Sequence, residues 1–394
     1  MVNDQKWKDK VMLKDDQFGL FSIHRLNRVD KPTTLITDKV QRVDCRENAA
    51  AKAKRGDYGP AVQREASRLT VKYPLSAAQL DVVLHLSGMK GNEVAASKAP
   101  LPDNPEILSC HIKRLGYFLK ADIVGICRIP KYAVYSYDIH GNPINIDDEF
   151  AITIVMRKEY ETVKASTGTD WIGDAISFQA YQHLSLVTET MANYIRRLGY
   201  QASAQHPPTG TKGGFQVLMP PLLLWAGIGE VSRAGIILNP FLGMSFKSAA
   251  VLTNLPLVPD KPIDFGLQDF CQRCKICALA CPSKAILMGD KVKYNGYETW
   301  KLDERKCASF NRLNKQGTVC NMCVRVCPWT RPLTWPHNLV RWGVERFSVV
   351  RRVAVMADGI FCREKSDKKQ EKGKWWFDIE EIDGVLKIPT DGRL

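Results

Sequence analysis

Two short cysteine runs constrain this chain more than any other feature. The first, "FCQRCKICALACPSKAI", begins at Phe270 and places Cys271, Cys274, Cys277 and Cys281 before Pro282, a C-x2-C-x2-C-x3-C-P spacing. That spacing wraps three thiolates around one face of an iron-sulfur cube and sends the fourth, with its proline, to a neighbouring cube. The second run, "CNMCVRVCPW", supplies Cys320, Cys323 and Cys327 before Pro328, and its missing ligand is most simply Cys307, thirteen residues ahead of Cys320. Two [4Fe-4S] clusters are therefore expected, one on Cys271, Cys274, Cys277 and Cys327, the other on Cys307, Cys320, Cys323 and Cys281. Zinc is the competing reading, but a zinc site needs only four ligands and seldom shows an eightfold pattern with paired prolines. Cys45, Cys110, Cys127 and Cys362 stand alone and read as buried structural thiols.

The rest of the chain sets bounds. At 394 residues it exceeds the usual size of a single core, so two domains are the default. A net charge of +14 would suit an acidic partner such as nucleic acid or an anionic membrane, and equally describes a merely basic surface. The longest apolar run, "VLMPPLLLWAGIG" from Val217 to Gly229, holds two prolines and is too short to cross a bilayer. "MVNDQKWKDK" carries neither an apolar signal region nor a twin-arginine sequence, which leaves a cytoplasmic protein or a mature form whose signal has been removed.

Three zones follow one another. Residues 1 to about 105 are polar and irregular, and read as short helices and extended arms wrapped on something else. From about Cys110, "IKRLGYFLKADIVGICRI" reads as a helix end and a buried strand, and "EFAITIVMR" as a second strand. "AYQHLSLVTETMANYIRRLGY" reads as a helix with Leu184, Val187, Met191, Ile195 and Leu198 on one face, ended by Gly199. Alternation of strands and helices implies an α/β or α+β domain. The charged tail after Phe361 reads as a solvated segment anchored by Trp375 and Trp376.

About 260 residues precede the cysteines, more than an electron carrier needs. "YIRRLGYQA" (194–202), "PPLLLWAGIGEVSRAG" (220–235), "TNLPLVPDKPIDFGLQDFCQRCKICALACPSKAI" (253–286), the lone Cys307, "CNMCVRVCPW" and the late "WW" together resemble the reductive dehalogenases, specifically their corrinoid-dependent respiratory catalytic subunits in mature form. The resemblance implies an α/β (α+β) fold: a variable region over 1–109, a nitroreductase-like cobalamin-binding domain over 110–262, a ferredoxin-like two-cluster domain over 263–340 and a C-terminal extension over 341–394. It implies base-off cobalamin beside the two clusters, held by backbone and small residues such as Gly227, Gly229 and Thr253; the reading of Gly227 and Gly229 as a tight turn competes. The D-x-H-x-x-G motif of histidine-bound cobalamin is not met, since Pro143 stands where its second glycine should be, and His140 reads as a turn residue.

By position the family's proton-donating tyrosine corresponds to Tyr181, with Lys247 as its basic partner. Core packing competes for Tyr181, and a solvated loop lysine for Lys247. Trp171, Phe178, Trp225 and Phe241 are candidate walls of an apolar substrate pocket, although each also suits ordinary core. The implied partners are a small organohalide, with a chlorinated aliphatic favoured from the compact N-terminal third, an external electron donor and a membrane-anchor protein, but no nucleic acid. The implied location is the outer face of the cytoplasmic membrane by twin-arginine export if this is a mature form. Two other functions compete. One is an epoxyqueuosine reductase, a tRNA-modifying relative whose aspartate-bearing stretch has no counterpart here; the other is a non-catalytic electron-transfer module.

Overall fold

The strand Phe150–Arg157 reads "FAITIVMR", seven of its eight residues are buried, and an unbroken apolar strand of this kind needs cover on both faces. The computed structural model describes residues 21–87, 93–207, 215–361 and 373–388, and supplies that cover. The strands in chain order are β1 Ile123–Arg128, β2 Phe150–Arg157, β3 Ala202–Gln205, β4 Glu230–Val231, β5 Ile237–Leu238 and β6 Phe246–Thr253. Four of them form a sheet in the order β1-β2-β6-β3, and every pairing is antiparallel. The fold is therefore α+β: antiparallel neighbours decide between the two alternatives that the sequence allowed.

Alternate residues serve opposite faces. Ile152 and Ile154 pack with Leu184, Val187, Met191 and Ile195 of the long helix Ile172–Arg197 and with Ile112 of the helix Pro105–Phe118. Ala151 and Val155 face the second core, with Leu222 and Leu223 of the short helix Met219–Trp225. Of the expected face, Leu184, Val187, Met191 and Ile195 are buried on the helix, Leu198 caps its end, and the helix begins eight residues before the expected Ala180. Gly199 follows its end at φ +86°, where a side chain would press on the backbone of Ser97 and Lys98.

The N-terminal region is, as expected, made of short helices and arms. Arg28 bridges to Ile263 and Leu35 to Tyr297, so the arm lies along the segment that leads into and past the first cysteine run. Further on, the Tyr73 hydroxyl donates within 2.8 Å of the Gln316 carbonyl and 2.7 Å of its side-chain oxygen, just ahead of the second run. One apolar core contains Phe21, Ile123, Trp329 and Trp376, so all four expected segments share an interior. Trp376 is buried there, while exposed Trp375 donates to the Thr162 hydroxyl at 2.8 Å. Cys45 and Cys127 are buried, Cys110 is half-buried, and Cys362 lies outside the described residues. Among the described residues no helix is long and apolar enough to cross a membrane.

Tyr73→Phe would keep the ring and remove the one buried hydroxyl that donates to Gln316. A cost of about 1–3 kcal/mol is expected for such a loss, read as a lower apparent Tm with the helical circular dichroism unchanged.

Candidate active site

The long helix Ile172–Arg197 starts against the loop that carries the second cysteine run. Asp174 donates its backbone N–H to the Thr318 hydroxyl at 3.0 Å, and Asn321 donates its side-chain amide to the Gly173 carbonyl at 3.0 Å. A side chain on Gly173 would collide with the Val319 carbonyl, so glycine permits the contact. These bonds fix the helix end beside Cys320.

The eight cysteines gather in two sets. Burial pushes the Cys271 thiol well above its ordinary value; the Arg233 backbone N–H opposes this, and Cys327, Cys274 and Cys277 add to it. Cys277 is raised by burial and then by Cys327 and Cys274. In the other set, burial pushes Cys307 up to about 11, with Cys281 and Cys320 adding to it. Cys323 is pushed up to about 12 by burial, then by Cys307, Cys320 and Cys281. Burial also acts on Cys281, but the Ser283 hydroxyl and the backbone N–H groups of Ala285 and Ile286 outweigh it and leave this thiol lowered. Most of these mutual effects run within the sets expected from spacing, and Cys323 also acts on Cys277 across them.

A cavity of about 400 Å³ adjoins the second set. Cys281, Cys307, Cys320 and Cys323 all line it, and so do Tyr181 and Lys247. Tyr181 lies on the second turn beyond Asp174, half-buried, with the edge of Phe178 5.6 Å away between ring centroids. The Lys247 ammonium sits over the Tyr181 ring, 4.9 Å from its centroid. Lys247 enters from β6, opposite Met156 of β2. Met219, Leu223, Ile237, Met244 and Phe246 give the cavity an apolar wall. Between Met244 and Phe246, the buried Ser245 hydroxyl has no hydrogen-bond partner among the described residues.

Sequence reasoning missed two members of this neighbourhood. Lys158 lines the cavity, is 4% exposed, and donates to the Asn321 side chain at 2.8 Å. Burial drives its ammonium well below the usual lysine range, and the Lys247 charge adds to that shift. Asp174 is equally buried; desolvation raises its carboxyl to about 6 against the pull of Lys247, the Thr70 hydroxyl and Lys158. The one available signal was a second basic residue, Lys158, following Arg157 at the end of a mostly apolar strand.

Several of the expected residues lie outside this cavity. Gly227, Gly229 and Thr253 do not line the cavity. Gly227, at φ +67°, turns the chain where a side chain would strike Arg28 and the Lys261 carbonyl, and a side chain on Gly229 would collide with the Leu238 carbonyl. Their close approach is to protein backbone. Thr253 is fully buried and donates to the Gln201 carbonyl. The four proposed wall aromatics do not line the cavity either. Trp171 donates to the Phe377 carbonyl and packs on Tyr73, Trp225 donates to the Tyr132 hydroxyl, Phe241 packs on Phe21, and Phe178 supports Tyr181 from behind. His140 is an exposed turn residue, as expected, in a loop held by Asp138.

Residues 270–331 match the 4Fe-4S dicluster domain family. The structure is similar to a solved catabolic reductive dehalogenase in complex with 3-bromo-4-hydroxybenzoic acid, with a TM-score of 0.87 and 34% identity over 98% of this chain and 56% of that one. This chain is a homologue of the reductive dehalogenases. The tetrachloroethene reductive dehalogenase of Sulfurospirillum multivorans is 30% identical over 285 residues, which are 63% of this chain and 55% of that protein. The enzyme of that name from Desulfitobacterium hafniense is 36% identical over 201 residues, 48% of this chain and 34% of the relative. The homologue thus spans about half the length, or less, of these curated relatives.

The raised carboxyl of Asp174 has a pH signature. Its folded value of about 6 exceeds the unfolded 3.8, so the group favours folding below pH 4 and that contribution is lost as pH rises through 6. Wild-type stability in denaturant should fall across this window, and Asp174→Asn should remove the fall.

Proposed function

We propose that this chain is the catalytic part of a corrinoid- and iron-sulfur-dependent reductive dehalogenase, an oxidoreductase that replaces halogen by hydrogen on a small organohalide. The observation that carries the reading is a single cavity lined by Tyr181, Lys247 and the four thiols of Cys281, Cys307, Cys320 and Cys323. Cys271, Cys274, Cys277 and Cys327 would hold one [4Fe-4S] cluster, and those four cavity cysteines the other. The apolar wall suits a corrinoid, a largely apolar macrocycle with amide-bearing arms. Met244 and Phe246, which line the cavity, would hold it. When bound, the corrinoid supplies reduced cobalt able to break a carbon–halogen bond, and the clusters supply its electrons.

The chain's own residues then have separate tasks. Tyr181 would hold a proton on its phenol oxygen and deliver it to the carbon that loses halogen. Lys247, over the ring, would stabilise the phenolate that remains. The apolar wall would exclude water and with it competing protonation. Chlorinated aliphatics are the favoured substrates, supported by the names of the Sulfurospirillum and Desulfitobacterium relatives. An external electron donor and a membrane-anchor protein complete the proposal, with twin-arginine export where a signal precedes this sequence and a cytoplasmic site where none does. An organohalide panel assayed with a reduced viologen tests the substrate class.

Anaerobically reconstituted protein should hold about eight iron atoms and one cobalt per chain, from two four-iron clusters and one corrinoid. Iron near four, or zinc in its place, would remove the electron path. Tyr181→Phe should keep metals and fold yet lose about a hundredfold to ten-thousandfold in dehalogenation, the range of a general acid. Lys247→Met should lose less, because the phenol can still donate. Dehalogenation by Tyr181→Phe at more than about half the wild-type rate would overturn the assignment, given that range.

A further inference from the structure

The turn after β4 holds a buried arginine that the reaction does not use. Arg233 is 1% exposed and its guanidinium hydrogen-bonds four backbone carbonyls: Cys271 at 2.9 Å, Gln272 at 3.2 Å, Leu287 at 2.8 Å and Gly289 at 2.9 Å. Its other face lies on the Trp300 ring, 4.6 Å from the centroid. Arginine keeps its charge in proteins, and carbonyls satisfy its donors without cancelling that charge. Among the described residues none of its hydrogen bonds goes to a carboxylate. The charges that act on it are Cys271, Cys277 and Cys274, then Asp290. Its own backbone N–H is also turned toward Cys271. Lys291, over the same Trp300 ring at 4.8 Å, is a second cation nearby. A positive charge held out of water beside one ligand set is a means of favouring added negative charge there.

We propose that Arg233 sets the reduction potential of the cluster held by Cys271, Cys274, Cys277 and Cys327, raising it relative to the same cluster without the guanidinium. The inference rests on the ligand sets proposed above. Reduction adds one electron from an external low-potential donor and so one unit of negative charge to the cluster, with no bond formed or broken. The fixed guanidinium stabilises that added charge, which makes this cluster the readier entry point for the electron. Arg233 acts through the cluster and is a positioning residue for charge.

The experiment is a dithionite titration with viologen mediators, followed by electron paramagnetic resonance, on reconstituted wild type, Arg233→Gln and Arg233→Lys. In Arg233→Gln one of the two reduction waves should move to more negative potential. The reduced-to-oxidised ratio at fixed potential should fall by about tenfold, or about 59 mV for one electron. The other wave should stay, and Arg233→Lys, which keeps the charge, should lie near wild type. The inference is overturned if Arg233→Gln holds eight iron with both waves unmoved, or if both move together. It is also overturned if Arg233→Lys shifts as far as Arg233→Gln, or if either variant loses half its iron, since a purely structural clamp would do that. Wild-type protein lacking two clusters would instead sink the ligand sets themselves, a failure visible before any variant is made.

Discussion

Everything in this structure answers to eight thiols held close together and largely out of water. Burial alone would keep such groups protonated, as the raised Cys271, Cys277, Cys307 and Cys323 illustrate. Iron supplies the positive charge that makes the thiolates the favoured form. In the proposed ligand sets each run lends its last cysteine to the other, so residues 271–281 and 307–327 would have to fold against each other before either set is complete. The N-terminal arm, the long helix and Tyr73 all contact the segments around these runs, which explains why the four regions share one core.

The two sets sit in different electrostatic surroundings. The one remote from the cavity has Arg233, whose charge persists despite burial. The one lining the cavity has Lys158, whose ammonium burial disfavours, and Arg312, which bonds the Ala308 carbonyl at 2.9 Å and acts on Cys307. A lysine that shifts readily and an arginine that does not are different instruments. Positive charge thus stands by both sets, from Arg233 at one and from Lys158 and Arg312 at the other.

Legibility in the sequence followed the range of the interactions involved. The cysteine sets, the strands and the 184–195 helical face were readable because ligand spacing and periodicity are local. Tyr181 and Lys247 came from a resemblance, and nothing in the spacing of those residues says that a lysine on β6 would reach a ring on the long helix. Gly227 and Gly229 were read as places of close approach, and the atoms that approach them include the Lys261 and Leu238 carbonyls. Whether the atom approaching a glycine belongs to a cofactor or to the Leu238 carbonyl depends on contacts that sequence does not order. Lys158 and Asp174 were missed for the complementary reason: a charged residue next to apolar ones looks solvated until tertiary packing closes over it.

The long helix links these pieces as a ruler. Its first turn is bonded to Thr318 and Asn321, on either side of Cys320, so the start of the helix moves only if the cysteine loop does. At 1.5 Å per residue, Tyr181 stands about 12 Å along the axis from Gly173. That segment is stiff, buried and continuous, and Lys247 approaches its far end from a strand held in register against Met156 of β2. The separation between the thiols and the phenol is thereby set by helix rise and sheet register, both of which resist deformation. A loop could carry the same residues but would not hold them to a fixed distance, and a proton donor that must meet a reacting carbon beside a large cofactor needs that distance held.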